Sequence, residues 1–572
     1  MLRGPRTWKP CNIREVPYRW RRHTYPVQSS NTQPCKSPPP KEALTSIQVP
    51  AKIQALKESE KLQNHGRTIV VCLDGTGDKF DHDNSNIVHL VSCLKKDDKN
   101  QNTYYQAGIG TYGDHGLSTG IAATLDMAVG SLLGLHIRDA YNFLMHAYKE
   151  GDKICIFGFS RGTYTARCLA GMVHTVGLLP TRNVAQIPFA YDIYKDDSPQ
   201  GREDGVSFKK TFCTNVSIHF LGLFDSVASV GFIPRELPFT TTATAKCHYI
   251  RHAMALDERR AKFKLCRFEG DNFVAPEQSQ LLSTTTTLAE SQGVEHVNGF
   301  ANGTSFYKRE ALNGGAVTPG MMNEQTQPEM KAPRVAHERH HKSRKHLTTD
   351  LLEVWFAGCH CDVGGGAVRN EERHRLANIP LRWMIRQCFE CDTGIIFNTK
   401  ILAEMGLDVH TLWPKYSRLE EPILGPSPSL IEHYETGLPP KERRSSLLTP
   451  IQSPVKKRGF FDLNLPDCNI SQESTEWVPE QLEDYFDSLQ PINDMLVAKM
   501  TWWLAEVWPV TFHMFNPATH TWDARIGMNM AMARPIMGSD PIFHWTVRHR
   551  MLNMAYKHRA IMEKDAVWQV TV

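Results

Sequence analysis

The sequence has no continuous apolar run near its start. Instead it carries Arg3, Arg6, Arg14, Arg19, Arg21 and Arg22, broken by Pro5, Pro10, Pro17 and Pro26. A secretory signal needs an apolar h-region, so none is expected. The Arg-rich, acid-poor start has the composition of an organelle presequence, but its prolines break a long amphipathic helix. A disordered basic tail on a cytoplasmic, intracellular protein is the better reading. A strong excess of one charge is also missing: 65 Lys and Arg stand against 61 Asp and Glu, for a formal net charge of +4. No dense cationic stripe is interleaved with aromatics, so no nucleic-acid partner is expected. The 14 cysteines are scattered, and Cys155 and Cys168 fall within an apolar run and the helical stretch after it. A disulfide is not expected at such positions, and the pattern suits a reducing compartment.

At 572 residues the chain is too long for one compact core. Residues 1–65 read as tail and linker, ending in a charged helical stretch from Pro50 to Leu62. A main domain is expected over 66–412, carrying a low-complexity insertion at 271–346 rich in Ser, Thr and Gln. Residues 413–475 read as a linker or surface excursion, and 476–572 as a mostly helical region packing on the core.

The main domain is organised around Lys153-Ile154-Cys155-Ile156-Phe157, a short apolar run that reads as a buried strand. It stops at Gly158-Phe159-Ser160-Arg161-Gly162, and Thr163 to Val173 reads as a helix of small and apolar residues. Strand, sharp turn and helix give the G-x-S-x-G pattern a mechanism: they lift a strained serine above the sheet edge at a helix N-terminus. Gly158 and Gly162 fit positions where strand and helix nearly collide. Ser160 is therefore the candidate nucleophile.

Thr68 to Leu73 reads as an earlier buried parallel strand, ending in Asp74-Gly75-Thr76-Gly77. Gly75 or Thr76 could supply one oxyanion donor from that turn, with the backbone N–H of Arg161 as the other. A strand from Val216 to Phe224 ends in Asp225, a carboxylate suited to orient a histidine, although Asp also caps helices well. The strand Leu351 to Phe356 leads into His360 on a Gly-flanked loop, giving the chain order Ser, Asp, His. His544 is the second candidate base. Thr103 to Ala107 reads as a further strand, and His252 to Arg260 as an amphipathic helix.

Other motifs carry less. Gly108-Ile109-Gly110-Thr111-Tyr112-Gly113 matches G-x-G-x-x-G, but Asp114-His115-Gly116 follows where a helix should start, so no cofactor is expected. His337-Glu338-Arg339-His340-His341 fits H-E-x-x-H but sits among Arg334, Lys342, Arg344 and Lys345, which repel a dication; no metal is expected. Cys359, Cys361, Cys388 and Cys391 suffice for a zinc site by count only. Leu117 to Leu135 is apolar and Gly-rich and is expected to be a packed helix or a lid over substrate.

Together these pieces resemble a known family. Gly158 to Arg167 with Leu169-Ala170-Gly171-Met172 is similar to the elbow of an α/β-hydrolase family long carried as a domain of unknown function. Its characterised bacterial relatives are type VI secretion phospholipase effectors. Leu73-Asp74-Gly75-Thr76, Phe224 to Gly231, His252 to Arg260 and His360 to Gly366 fit the same pattern. The resemblance covers roughly 68–400 less the insertion, while the tail, insertion and C-terminal region resemble fungal multidomain members. Cys359 and Cys361 depart from the small or polar residues usual beside the histidine. The resemblance implies a mostly parallel sheet flanked by helices, and a triad on Ser160, Asp225 and His360. It also implies a serine hydrolase acting on a phospholipid or other acyl ester. Such a substrate brings peripheral membrane contact into view; protein partners stay unspecified. Two other readings remain open: a catalytically silent scaffold of the same fold, and a dinucleotide-dependent oxidoreductase.

Overall fold

The structure is a computed structural model. It describes residues 19–22, 49–58, 66–75, 78, 80–108, 122–227, 247–268, 349–422, 425–428, 430–432, 479–507, 509–516, 521–536, 540–562 and 566–572. Nine strands form its main sheet. In chain order they are β1 (Arg19–Arg22), β2 (Thr68–Leu73), β3 (Gln101–Gln106), β4 (Lys153–Phe159) and β5 (Ile218–Phe224), then β6 (Cys247–Ala255), β7 (Asp350–Phe356), β8 (Ile542–His544) and β9 (Val567–Thr571). Across the sheet they run β1-β9-β8-β7-β6-β5-β4-β2-β3, and every pairing is parallel.

The reason lies in the strands' composition. All six residues of β2 are buried, as are the last six of β4. Alternate residues point to opposite faces of a strand, so burial of both sets requires helices on both faces. On one face Ile69, Val71, Ile154 and Ile156 pack against α2 (Ala122–Ala147) and α3 (Arg161–Val176). On the other, Val70, Cys72, Cys155 and Phe157 pack against α1 (Asn86–Cys93) and α5 (Asn378–Glu390). Between them in the chain, α4 (His360–Gly364) follows β7 directly.

Three expectations are corrected. His252 to Ala255 belong to β6, not to a helix, and pair with Leu223 to Phe224 and Glu353 to Phe356. A short apolar run carries no period that separates a buried strand from a helix. The stretch from Pro50 holds the strand Lys52–Gln54, antiparallel to Ile396–Asn398, with Ile53 and Ala55 inward and Lys52 outward, the period of a strand. The C-terminal region mixes helix and strand: α6 (Pro479–Ser488) and Trp545–Asn553 are helices, Pro509–Asn516 and Thr521–Met528 form a hairpin, and β8 and β9 extend the main sheet. Val567-Trp568-Gln569-Val570-Thr571 is rich in β-branched and aromatic residues, a strand composition. The segment expected as a packed helix or a lid, Leu117 to Leu135, is helical from Ala122 within a helix that continues to Ala147, while 117–121 lie outside the described residues. Among the described residues no helix is long and apolar enough to cross a membrane.

Candidate active site

Ser160 sits between β4 and α3 with φ 55° and ψ −124°, a conformation that costs free energy for a non-glycine residue. The crowding expected at the elbow is present. A Cβ on Gly158 would stand 2.7 Å from the carbonyl oxygen of Gly162, and one on Gly162 would stand 2.3 Å from that of Leu73. The Ser160 N–H donates to the Phe224 carbonyl at 3.1 Å, and Thr163 Oγ1 bonds the Ser160 carbonyl.

Phe159 and Phe224 are in register on neighbouring strands, so Ser160 and Asp225 leave the sheet side by side. Asp225 also has positive φ, at 44°, and is fully buried. Its carboxylate accepts from the Ala255 N–H at 2.8 Å, from Arg534 Nη1 at 2.6 Å and Nη2 at 2.9 Å, and from His360 Nδ1 at 2.6 Å. Burial pushes the Asp225 pKa up, but the Arg534 guanidinium and then His360 outweigh it and hold the acid well below the usual carboxylate range.

His360 opens α4 just beyond β7. Its ring lies 4.7 Å from the Phe159 ring and 4.7 Å, edge-on, from that of Phe263, which seats it against the neighbour of Ser160. Burial lowers its pKa; Asp225 opposes that shift. An ionised carboxylate can only accept, so Nδ1 carries the proton and Nε2 of the neutral ring is left as a base. The His360 N–H donates to Glu258 Oε2 at 3.2 Å. Burial raises the Glu258 pKa, but its hydrogen bonds and ion pair with Arg260 take it down to about 2. The Arg260 guanidinium lies 3.5 Å from the centre of the Phe263 ring, which covers His360, and 4.7 Å from that of Trp502, placing a cation over both aromatics.

The other predicted positions divide. Arg161 is the first residue of α3, the turn whose N–H groups point out of the helix. The Gly75 N–H donates to Asp74 Oδ1 at 2.9 Å, so it must leave that partner before it can serve an oxyanion. Thr76 lies outside the described residues, as do 109–113 of the G-x-G-x-x-G pattern and all of His337 to His341. His544 is buried elsewhere. It bonds Thr546 Oγ1 at 2.8 Å and stacks on Phe356 at 5.0 Å, and burial, with Arg382 adding to it, takes its pKa down to about 3. Among the described residues no group of His, Cys, Asp and Glu is arranged to hold a metal ion.

Sequence reasoning missed several residues. Asp78 follows the Gly75 turn, and burial, then Asp74 and Asp81, raise its pKa to about 7 while Arg161 opposes. An acid four positions after Asp74 was a visible signal. His252 bonds Glu353 Oε1 through Nδ1 at 3.0 Å, and its Nε2 accepts the Ser226 N–H at 3.1 Å. That second histidine–acid pair is therefore spent on holding the residue after Asp225. Arg534 had no local signal at all.

A parallel sheet covered on both faces, with a strained serine at a strand–helix elbow, defines an α/β-hydrolase-like fold. A family model described as T6SS phospholipase effector Tle1-like, catalytic domain, matches residues 67–387, and the chain belongs to that family. The uncharacterized Saccharomyces cerevisiae protein YEL023C is 26% identical over 528 residues, covering 79% of this chain and 74% of that one. Two solved structures are also similar. An uncharacterized Pseudomonas aeruginosa protein (16% identity, TM-score 0.29) overlaps 78% of this chain and 62% of its own. The Tle1 effector bound to the VgrG spike of the type 6 secretion system (18% identity, TM-score 0.20) overlaps 35% and 47%. The chain thus spans less than two thirds of either solved chain.

Proposed function

We propose that the protein is a serine hydrolase that cleaves a carboxylic ester of a phospholipid or similar acyl lipid, with Ser160 as nucleophile, His360 as base and Asp225 as its orienting acid. The observation that carries this reading is the 2.6 Å bond from His360 Nδ1 to a buried, ionised Asp225, made by an imidazole whose ring lies 4.7 Å from that of Phe159, the residue before Ser160. His360 Nε2 takes the hydroxyl proton as Ser160 Oγ bonds to the acyl carbon. The carbonyl oxygen becomes an oxyanion, met by the N–H of Arg161 and one from the Gly75–Thr76 turn. Losing one such donor typically costs about 3 kcal/mol of barrier. The ester C–O bond then breaks, and the leaving alcohol takes the proton from His360. Water, deprotonated in turn by His360, releases the acid and restores Ser160.

Membership of a phospholipase effector family supports a lipid substrate. A surface beside the site supports contact with an anionic bilayer. Val497, Met500, Leu504, Val507, Ile526 and Met528 are each more than half exposed, between 52% and 79%. The Met530 N–H bonds the Glu506 carbonyl, so the two stretches form one face. Trp502 links it to the site, its ring 5.5 Å from Phe263. Lys499 and Arg525 are exposed on this face, while Glu506, the acid of 495–507, is fully buried. Apolar and aromatic side chains rimmed by cations suit the bilayer interface.

Hydrolysis of short and long acyl esters by wild type and Ser160→Ala tests the chemistry. The expected loss in the variant is on the order of a thousandfold or more. Equal turnover by the two proteins removes the assignment.

A further inference from the structure

We infer that Arg534, supplied by the C-terminal region, is a positioning residue that fixes the Asp225 carboxylate for His360. The inference rests on the Ser160 reading above but is carried by separate geometry. Arg534 is 2% exposed and lies 147 residues beyond the end of the family match at 387 (534 − 387). Its Nη1 donates to Asp225 Oδ1 at 2.6 Å and to the Ala255 carbonyl at 2.9 Å. Its Nη2 donates to Asp225 Oδ2 at 2.9 Å and to the Phe263 carbonyl at 2.7 Å. One planar fork thus grips both carboxylate oxygens and ties them to the end of β6 and to the residue whose ring covers His360. A lysine offers a point charge and cannot reproduce four fixed bonds.

Arg534 is itself held from behind. The Ile561 N–H donates to its carbonyl at 2.9 Å, and Pro535–Ile536 pairs with Ile561–Met562. Asp225 needs such support because its φ of 44° is unfavourable outside glycine. His252 holds the next residue from the other side, through the Ser226 N–H. The C-terminal region therefore completes the charge arrangement of a site whose other parts come from the matched segment.

The charged and titratable groups facing the pair are His252 on β6, Glu258 and Arg260 just after it, and Arg534 itself, with Lys264 facing Glu258 and Arg534. Among the described residues Arg534 alone grips the carboxylate with a permanent cation. Without it, the full charge of Asp225 would favour imidazolium at His360, and the carboxylate would lose two of the bonds that set its plane. Neutral His360 would then require a higher pH.

The test uses the full-length chain with ¹³C-labelled histidine, the His360 resonance being assigned by its loss in His360→Gln. In Arg534→Met the His360 titration midpoint should rise by roughly one pH unit. Turnover of a short ester should fall on the order of tenfold to a hundredfold in kcat with KM little changed. The acid limb of the rate profile should move up with the NMR midpoint. Arg534→Lys should lie between, near wild type in midpoint but lower in kcat. A folded Arg534→Met with the wild-type midpoint overturns the inference. If that variant does not fold, Arg534→Lys matching wild type in both readouts overturns it instead, and a loss of kcat supports it. Should wild type hydrolyse no ester, the Ser160 reading fails by itself, while the His360 midpoint still decides the role of Arg534.

Discussion

Burial and partners pull the His360 imidazole in opposite directions. Removal from water disfavours its charged form most, and Arg260 adds to that; Asp225 and Glu258 favour it. The net shift is downward, so the neutral imidazole persists below the ordinary midpoint of about 6.5. The acid limb of kcat/KM should therefore lie below that value. A limb above 7 would mean that another group, or a more exposed imidazole, is the base. Ser160, Asp225 and His360 stand out as candidates in the sequence because Ser160 and Asp225 directly follow β-runs and His360 lies four residues past one, two of the three among glycines. Arg534 was not, because its partner lies 309 residues away and nothing around it repeats or alternates. His252 stands in the His252–Arg260 motif, but a short apolar run does not separate the strand it occupies from a helix, so its role has no local signature. The occupied N–H of Gly75 was equally invisible, since a carboxylate one residue back can turn toward or away from it.

At the scale of elements, α5 and α6 meet through buried charge rather than apolar side chains alone. Arg386 Nε pairs with Glu480 Oε1 at 2.6 Å, and Arg382 pairs with Asp484 at 2.5 Å and also with Asp487. Both arginines are nearly fully buried. Removing one partner strands the other, which typically costs about 3–5 kcal/mol, whereas removing both costs much less. Arg386→Leu and Glu480→Leu should each destabilise the protein by about that amount, and the double variant by clearly less than their sum. Urea unfolding of the four proteins checks this; strictly additive losses would show that the pair is not coupled. The attachment of α6 was expected only as generic packing, since ion pairs between distant helices leave no local pattern. The β2, β4, β5 and β7 runs were legible because they are short, apolar and bounded by turn residues. The β8 strand, three residues long, is too short to show a period, whereas the β-branched and aromatic composition of β9 does favour a strand.

For the whole molecule, the sheet runs from β1, within the N-terminal stretch, to β3, and draws its inner strands from both halves of the chain. The C-terminal region also carries the proposed membrane face. Burying one Leu or Ile side chain is worth about 1.5–3 kcal/mol, so Leu504→Glu with Ile526→Glu should weaken binding to vesicles of an anionic phospholipid by on the order of tenfold or more. Co-sedimentation reads this directly, and undiminished binding by the double variant would assign contact to another surface. The reading of Ser160 as an activated nucleophile has its own direct measurement. Full-length wild type is treated with a fluorophosphonate, and the modified residue is located by peptide mass spectrometry. Stoichiometric labelling at Ser160, slowed sharply in Asp225→Asn and His360→Gln, is the predicted result. A Ser160 that stays unmodified in folded wild-type protein would contradict it.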